Sequence, residues 1–232
     1  MLRMSGSGHH SVSHEERKQR EGDDVAEQVA RRKRGGCLRF LIELVIIVVL
    51  AVVIAMLLTT YVIKPYVIPS GSMEDTIEIG DCVLSEKVTS HASDPQAGDI
   101  ITFTAYEDPL TDDIYATLED ADEDVQSRLE EKVLIKRVIA TGGQTVDLQD
   151  GVVYVDGVAL DEDEYTDGEP SYELENSTVT FPYTVPDGEL WVMGDNRTNS
   201  KDSRFFGSIP IENVTGHAIV RYLPLDRIGL LE

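Results

Sequence analysis

The longest feature in the pattern of apolar and polar positions is an uncharged apolar run from Leu44 to Ile63. It is long enough to cross the roughly 30 Å hydrocarbon core of a bilayer as one helix, so 38–63 reads as a transmembrane signal anchor. A cleaved signal sequence would have a shorter apolar core with small residues close behind, whereas Lys64-Pro65-Tyr66-Val67 follows here. Beyond it the pattern changes to short β-branched runs: Cys82-Val83-Leu84, Ile100 to Phe103, Val133 to Ile139, Val152 to Val155, Leu190 to Met193 and His217 to Leu223. Gly80-Asp81, Gly98-Asp99, Asp150-Gly151, Asp156-Gly157 and Asp187-Gly188 separate them as turn signals, which predicts a mostly β, antiparallel domain. One stretch breaks the rule. Ile114, Leu118, Ala121, Val125 and Leu129 recur at three- and four-residue steps, which predicts an amphipathic helix over 112–131.

Charge sharpens the picture. Residues 64–232 carry 11 basic and 36 acidic side chains, a net −25, against +2 for residues 1–63. A domain so acidic is excluded as a nucleic-acid binder. The carboxylates crowd into 107–131 and 161–175 without a calcium-loop pattern, so no metal site and no cofactor is expected. Arg31, Arg32, Lys33, Arg34 and Arg39 precede the apolar run while Lys64 and Lys87 are the first basic residues after it, which puts the N-terminus in the cytoplasm and the acidic domain outside. Cys37 and Cys82 flank the span, so they cannot pair within one chain. Residues 1–37, with His9, His10 and His14, read as a disordered cytoplasmic tail.

Three polar motifs sit at the ends of the predicted strands: Pro69-Ser70-Gly71-Ser72-Met73, Ile135-Lys136-Arg137, and the run Gly194 to Arg204, which reads GDNRTNSKDSR. Beyond the apolar run the only histidines are His91 and His217, and neither lies in a recognisable triad setting. A serine nucleophile therefore needs another base. Lys136 lies in an apolar strand, where desolvation disfavours the ammonium; lowering its pKa from about 10.4 towards 8 corresponds to roughly 3 kcal/mol. Taken alone it reads as a strand-edge lysine, and Ser-Gly-Ser alone as a common turn. Ser72 is the candidate nucleophile, with Gly71 expected to admit another backbone and Pro69 to stiffen the approach. It lies so soon after Ile63 that even an extended link reaches only about 30 Å.

Together these segments resemble the motifs of bacterial type I signal peptidases, Ser/Lys enzymes that cleave signal peptides from exported proteins, and the resemblance covers residues 38–232. It implies Ser72 as nucleophile, Lys136 as general base, and Ser70 as a side-chain donor to an oxyanion hole completed by the Ser72 N–H. It implies that Ser200 hydrogen-bonds and orients Lys136, and that Arg137 with Asp195 and Asp202 with Arg204 are structural ion pairs. Ile68, Met73, Ile77, Leu134 and Ile135 would line shallow pockets for an Ala-x-Ala substrate, which would add as a strand beside Gly98 to Thr102. Asp75 replaces the usual proline, next to Glu74, and Thr198 replaces an acidic residue or asparagine.

The same resemblance implies a β fold shared with LexA-like self-cleaving repressors: a catalytic domain of 64–141 and 185–232, interrupted by a small cap insertion at 142–184 as in Gram-positive enzymes. The implied partners are signal peptides of exported preproteins, the lipid bilayer and the general secretion machinery, at the cell membrane. The alternative is a non-cleaving homologue that assists assembly of pili or surface proteins. A repressor would need a DNA-binding domain in place of the apolar run.

Overall fold

Two Asp-Gly pairs show how local sequence sets this architecture. Asp150-Gly151 and Asp156-Gly157 all take positive φ, and each pair joins strands whose next residues oppose one another, Gln149 to Val152 and Val155 to Val158. These are two-residue turns whose twist suits tight hairpins. The computed structural model describes residues 39–88, 93–175 and 177–231. The tail 1–37, including Cys37, and His91 lie outside the described residues.

The chain divides into two units, before and after Met56/Leu57. The helix Arg39–Tyr61 (α1) has 23 residues, with its apolar side chains exposed along its length. At 1.5 Å per residue it is about 34 Å long, enough to cross a membrane. It stops short of the expected limit: Ile63 opens the first strand, because Lys64 and Pro65 end the uncharged helical run.

In the second unit the strands are β1 Ile63–Val67, β2 Cys82–Glu86, β3 Ile100–Glu107, β4 Ile114–Tyr115, β5 Glu130–Thr141, β6 Thr145–Gln149, β7 Val152–Val155, β8 Val158–Ala159, β9 Tyr183–Thr184, β10 Glu189–Met193, β11 Ile209–Pro210, β12 Val214–Leu223 and β13 Gly229–Leu230. The main antiparallel sheet runs β1-β2-β12-β3-β5-β10-β11, with β4 on β3 and β13 on β12. A second, four-stranded sheet runs β8-β7-β6-β9. All six runs singled out in the sequence are strands.

The helix expected over 112–131 is absent. In its place are β4, a 3-10 turn at Leu118–Asp120, a single helical turn at Glu123–Gln126 (α2), and the start of β5. A continuous helix would set Glu119 and Asp120 at like-charge three- and four-residue spacings from Asp122, Glu123 and Asp124, which is unfavourable. The chain instead uses its carboxylates locally: Asp120 accepts from the Thr117 N–H at 2.7 Å, and Asp108, just before the stretch, holds Arg128 at 2.6 Å.

Three buried clusters hold the sheets. Ile101, Phe103, Val138, Leu190, Val192 and Ile209 form one. Ile139, Val146, Val153, Val185, Trp191 and Met193 form another, which packs the small sheet against β5 and β10. The third gathers Ile68, Met73, Ile77, Val83, Ile100, Ile135 and Ala218. It brackets the segment that carries Ser72, so hydrophobic packing on both flanks sets the position of that serine.

Candidate active site

Ser72 follows β1 in a turn whose neighbour Met73 is fully buried, and Lys136 lies on β5 with its side chain buried. Although 64 positions apart in sequence, Lys136 Nζ stands 2.6 Å from Ser72 Oγ and donates to it, with a second bond to Ile135 O at 3.1 Å. Burial drives the Lys136 pKa down to about 8, because an ammonium is costly away from water; Asp202 and Asp195 pull it back up and Arg204 pushes it down. Local desolvation thus outweighs the acidic surroundings. Once neutral, Lys136 offers a lone pair to the Ser72 O–H across the same contact, which is the arrangement a general base requires.

The loop after β10 ties these two residues together. Arg137, next to Lys136, donates from Nε and Nη2 to Asp195 at 2.9 and 2.8 Å and from Nη1 to Gly98 O at 2.9 Å. Asp195 also accepts from Thr76 Oγ1 at 2.6 Å, and the Asn196 N–H donates to Ser72 O at 3.3 Å. A Cβ on Gly194 would overlap Ser72 O and Ser200 Oγ, so glycine is what permits this approach. Asp202 caps Ser203–Phe206 (α4), bonds Arg204 at 2.9 Å and accepts from the Gly194 N–H at 3.0 Å. Its own burial would raise its pKa, but Arg204, the Gly194 N–H and the Lys136 charge bring it below the usual carboxylate value.

Several expectations are corrected. Ser200 does not bond Lys136: its Oγ is buried without a partner, against Gly194. Gly71 makes room for the Glu74 carboxylate rather than for a backbone, since a Cβ there would overlap it. Glu74 in turn accepts from Asn196 Nδ2 at 3.2 Å. Ile68, Met73, Ile77 and Ile135 share one cluster, but Leu134 packs on the other, as alternation along a strand dictates. Ile101 and Thr102 pair with β5 on one side and β12 on the other, so no strand can add beside them. Among the described residues the unpaired edge belongs to β5 itself, which β10 joins only from Arg137 onward, leaving Glu130 to Lys136 without a strand partner on that side. Ser70 is exposed.

Sequence reading missed Thr76, Glu162, Tyr165 and Arg197. Only Arg197, inside the last motif, carried a visible signal. A cleft of about 1040 Å³ opens beside Arg137, lined by Asp99, His217, Tyr165 and Arg221 among others; neither Ser72 nor Lys136 lines it. Among the described residues no cluster fit to hold a metal ion occurs.

Comparison with known proteins adds an independent line. The profile of the family described as signal peptidase, peptidase S26, matches residues 41–223. The chain is 43% identical over 175 residues to a probable signal peptidase I-1 of Synechocystis, covering 75% of this chain and 79% of that one. It is 37% identical over 172 residues to a signal peptidase I of Leptolyngbya laminosa, covering 74% of each. A crystal structure of a signal peptidase I from Enterococcus faecalis matches 54% of this chain and 97% of its own, at 30% identity and a TM-score of 0.36.

Proposed function

Since the chain belongs to the signal peptidase family, peptidase S26, we propose that Ser72 and Lys136 are the catalytic dyad with which it cleaves signal peptides from preproteins. It is a serine endopeptidase, signal peptidase I. The observation that carries the residue assignment is the 2.6 Å approach of a buried lysine amine to a serine hydroxyl.

The steps follow from that contact. Neutral Lys136 takes the proton of Ser72 as Oγ bonds the carbonyl carbon, and the carbonyl electron pair moves to oxygen. The Ser72 N–H, which makes no hydrogen bond among the described residues, and the exposed Ser70 hydroxyl are the donors for that oxyanion. Collapse breaks the C–N bond, and the leaving amine takes the proton from Lys136. Water then gives its proton to Lys136 and its oxygen to the acyl carbon, and Ser72 leaves as the alcohol with that proton. The signal peptide docks as a strand on the open edge of β5 from Glu130 to Lys136, which leads to the dyad. Ile68 and Ile135 supply apolar walls for small side chains, and cleavage after Ala-x-Ala follows from that.

The chain is a membrane protein anchored by α1. Its basic flank supports a cytoplasmic N-terminus, with the acidic domain outside the cell membrane, working beside the bilayer and the secretion machinery. The four-stranded sheet supports a small cap insertion at about 142–184. The test is cleavage of an Ala-x-Ala preprotein by the full-length protein in detergent. Ser72→Ala and Lys136→Ala are each expected to lose on the order of 10⁴-fold in rate. Cleavage by Ser72→Ala at the wild-type rate contradicts the assignment.

A further inference from the structure

The loop from Gly194 to Lys201 touches Ser72, through the Asn196 N–H on its carbonyl oxygen, and Arg137, the neighbour of Lys136, through Asp195. What holds this loop comes from a distant part of the chain, Asp163–Thr166 (α3) and its flanks between β8 and β9. Glu162, the N-cap of α3, accepts two 2.7 Å bonds from the Arg197 guanidinium. Tyr165 lays its ring on Arg137, with the guanidinium carbon 4.1 Å from the ring centroid, and its hydroxyl donates to Glu162 at 3.0 Å. Arg197 spans the remaining gap: it donates to Ser171 Oγ at 2.7 Å and to Gly194 O at 2.9 Å. Glu169 accepts from Thr198 Oγ1 at 3.1 Å.

The chemistry of these groups makes the contacts more than filler. Arg197 is fully buried, and a buried guanidinium is tolerated only with a carboxylate and further acceptors around it. Glu162 is its only carboxylate partner among the described ion pairs. Arg137 is held edge-on by Asp195 and Gly98 O and covered face-on by Tyr165, so the ring braces the ion pair adjoining Lys136.

We propose that Glu162 and Tyr165 are positioning residues of the peptidase reaction: through Arg197 and Arg137 they fix the loop at 194–201 and so hold Ser72 in register with Lys136. This rests on the assignment of Ser72 and Lys136 given above. Lys136 faces Asp195 and Asp202, which favour its charged form, and Arg204, which opposes it, with Arg137 next to it on β5. Tyr165 packs on Arg137, which follows Lys136 on β5 and so points to the opposite face; removing the ring loosens the loop through Asp195 and leaves the desolvation of Lys136 in place.

The test is the pH dependence of kcat and KM, with melting temperature, for full-length wild type, Tyr165→Leu, Tyr165→Phe, Glu162→Gln and Ser72→Ala in detergent. In Tyr165→Leu kcat falls about tenfold across the pH range, with the acid limb in place and KM within about threefold. Tyr165→Phe keeps the ring and stays within about threefold of wild type. Glu162→Gln leaves Arg197 without its charge and lowers kcat at least about tenfold. The proposal is overturned if Tyr165→Leu and Glu162→Gln keep kcat, or if the loss falls on KM and melting temperature while kcat is unchanged. It is overturned too if Tyr165→Phe is as impaired as Tyr165→Leu. If Tyr165→Leu does not fold, Glu162→Gln alone decides by its kcat. Activity retained in Ser72→Ala sinks the peptidase assignment itself, a different result from an intact dyad that ignores these two side chains.

Discussion

Replacing Lys136 by methionine should abolish catalysis and yet stabilise the fold, by an amount that depends on pH in a defined way. Burial holds the Lys136 pKa at about 8 in the folded chain against about 10.4 in an unfolded one. Between these values the unfolded chain binds a proton that the folded chain does not, so wild-type stability rises with pH across the window from 8 to 10.4. Below pH 8 the full shift of more than two units acts against the fold. The resulting cost is about 3 kcal/mol at pH 7, falling to about 2 at pH 9 and under about 0.5 at pH 10.5. Methionine matches the length of the stem and carries no charge, so its stability has no such dependence. Loss of the bonds to Ser72 Oγ and Ile135 O adds an offset independent of pH, which leaves the change in the gap as the quantity to read. Urea unfolding of full-length protein in detergent, followed through the single buried Trp191, reports it. The wild-type midpoint should approach, or rise above, that of Lys136→Met between pH 7 and 10.5 in one direction only: the advantage of the variant shrinks by about 3 kcal/mol, a relative displacement of about 1–3 M urea. A gap that stays constant over this range, to within about 0.5 kcal/mol, would refute the reasoning that desolvation of Lys136 makes it a base.

The same pKa sets the rate: kcat on an Ala-x-Ala preprotein should climb with pH through an acid limb near 8, and a limb near 6.5 in steady-state assays would implicate a histidine instead. Gly194→Ala places a Cβ into Ser72 O and Ser200 Oγ, so cleavage is expected to fall about 100-fold, checked by kcat of the folded variant. Asp195→Asn leaves Arg137 buried without its counter-charge and should cost about 3–5 kcal/mol in denaturant unfolding, whereas loss of an exposed pair such as Lys132 with Glu130 should cost under about 1.

The strands were legible because each is a β-branched run bounded by a turn pair whose φ values only glycine or aspartate accept readily, as at Asp150-Gly151. The dyad was legible because both residues lie in short motifs. The 112–131 helix was misread because apolar spacing by threes and fours also arises when a short strand and two turns each bury one or two residues, and the opposing signal was the repulsion among the carboxylates between them. Register was not legible either. Nothing in Gly98 to Thr102 indicates that β12 occupies one edge of β3, nor that β10 stops short and frees β5. Glu162 and Tyr165 escaped notice for a related reason: their partners Arg197 and Arg137 are distant in sequence, and an acidic, tyrosine-bearing stretch reads as solvated surface until the fold closes it over the loop.

The nucleophile itself gives the most direct test. Full-length protein mixed with excess Ala-x-Ala preprotein and quenched in acid during turnover should yield, on proteolysis and mass spectrometry, the fragment containing Ser72 carrying the signal peptide as an ester, and Ser72→Ala should yield none. An acyl group found on another residue, or continued turnover by Ser72→Ala with no adduct anywhere, would contradict the account.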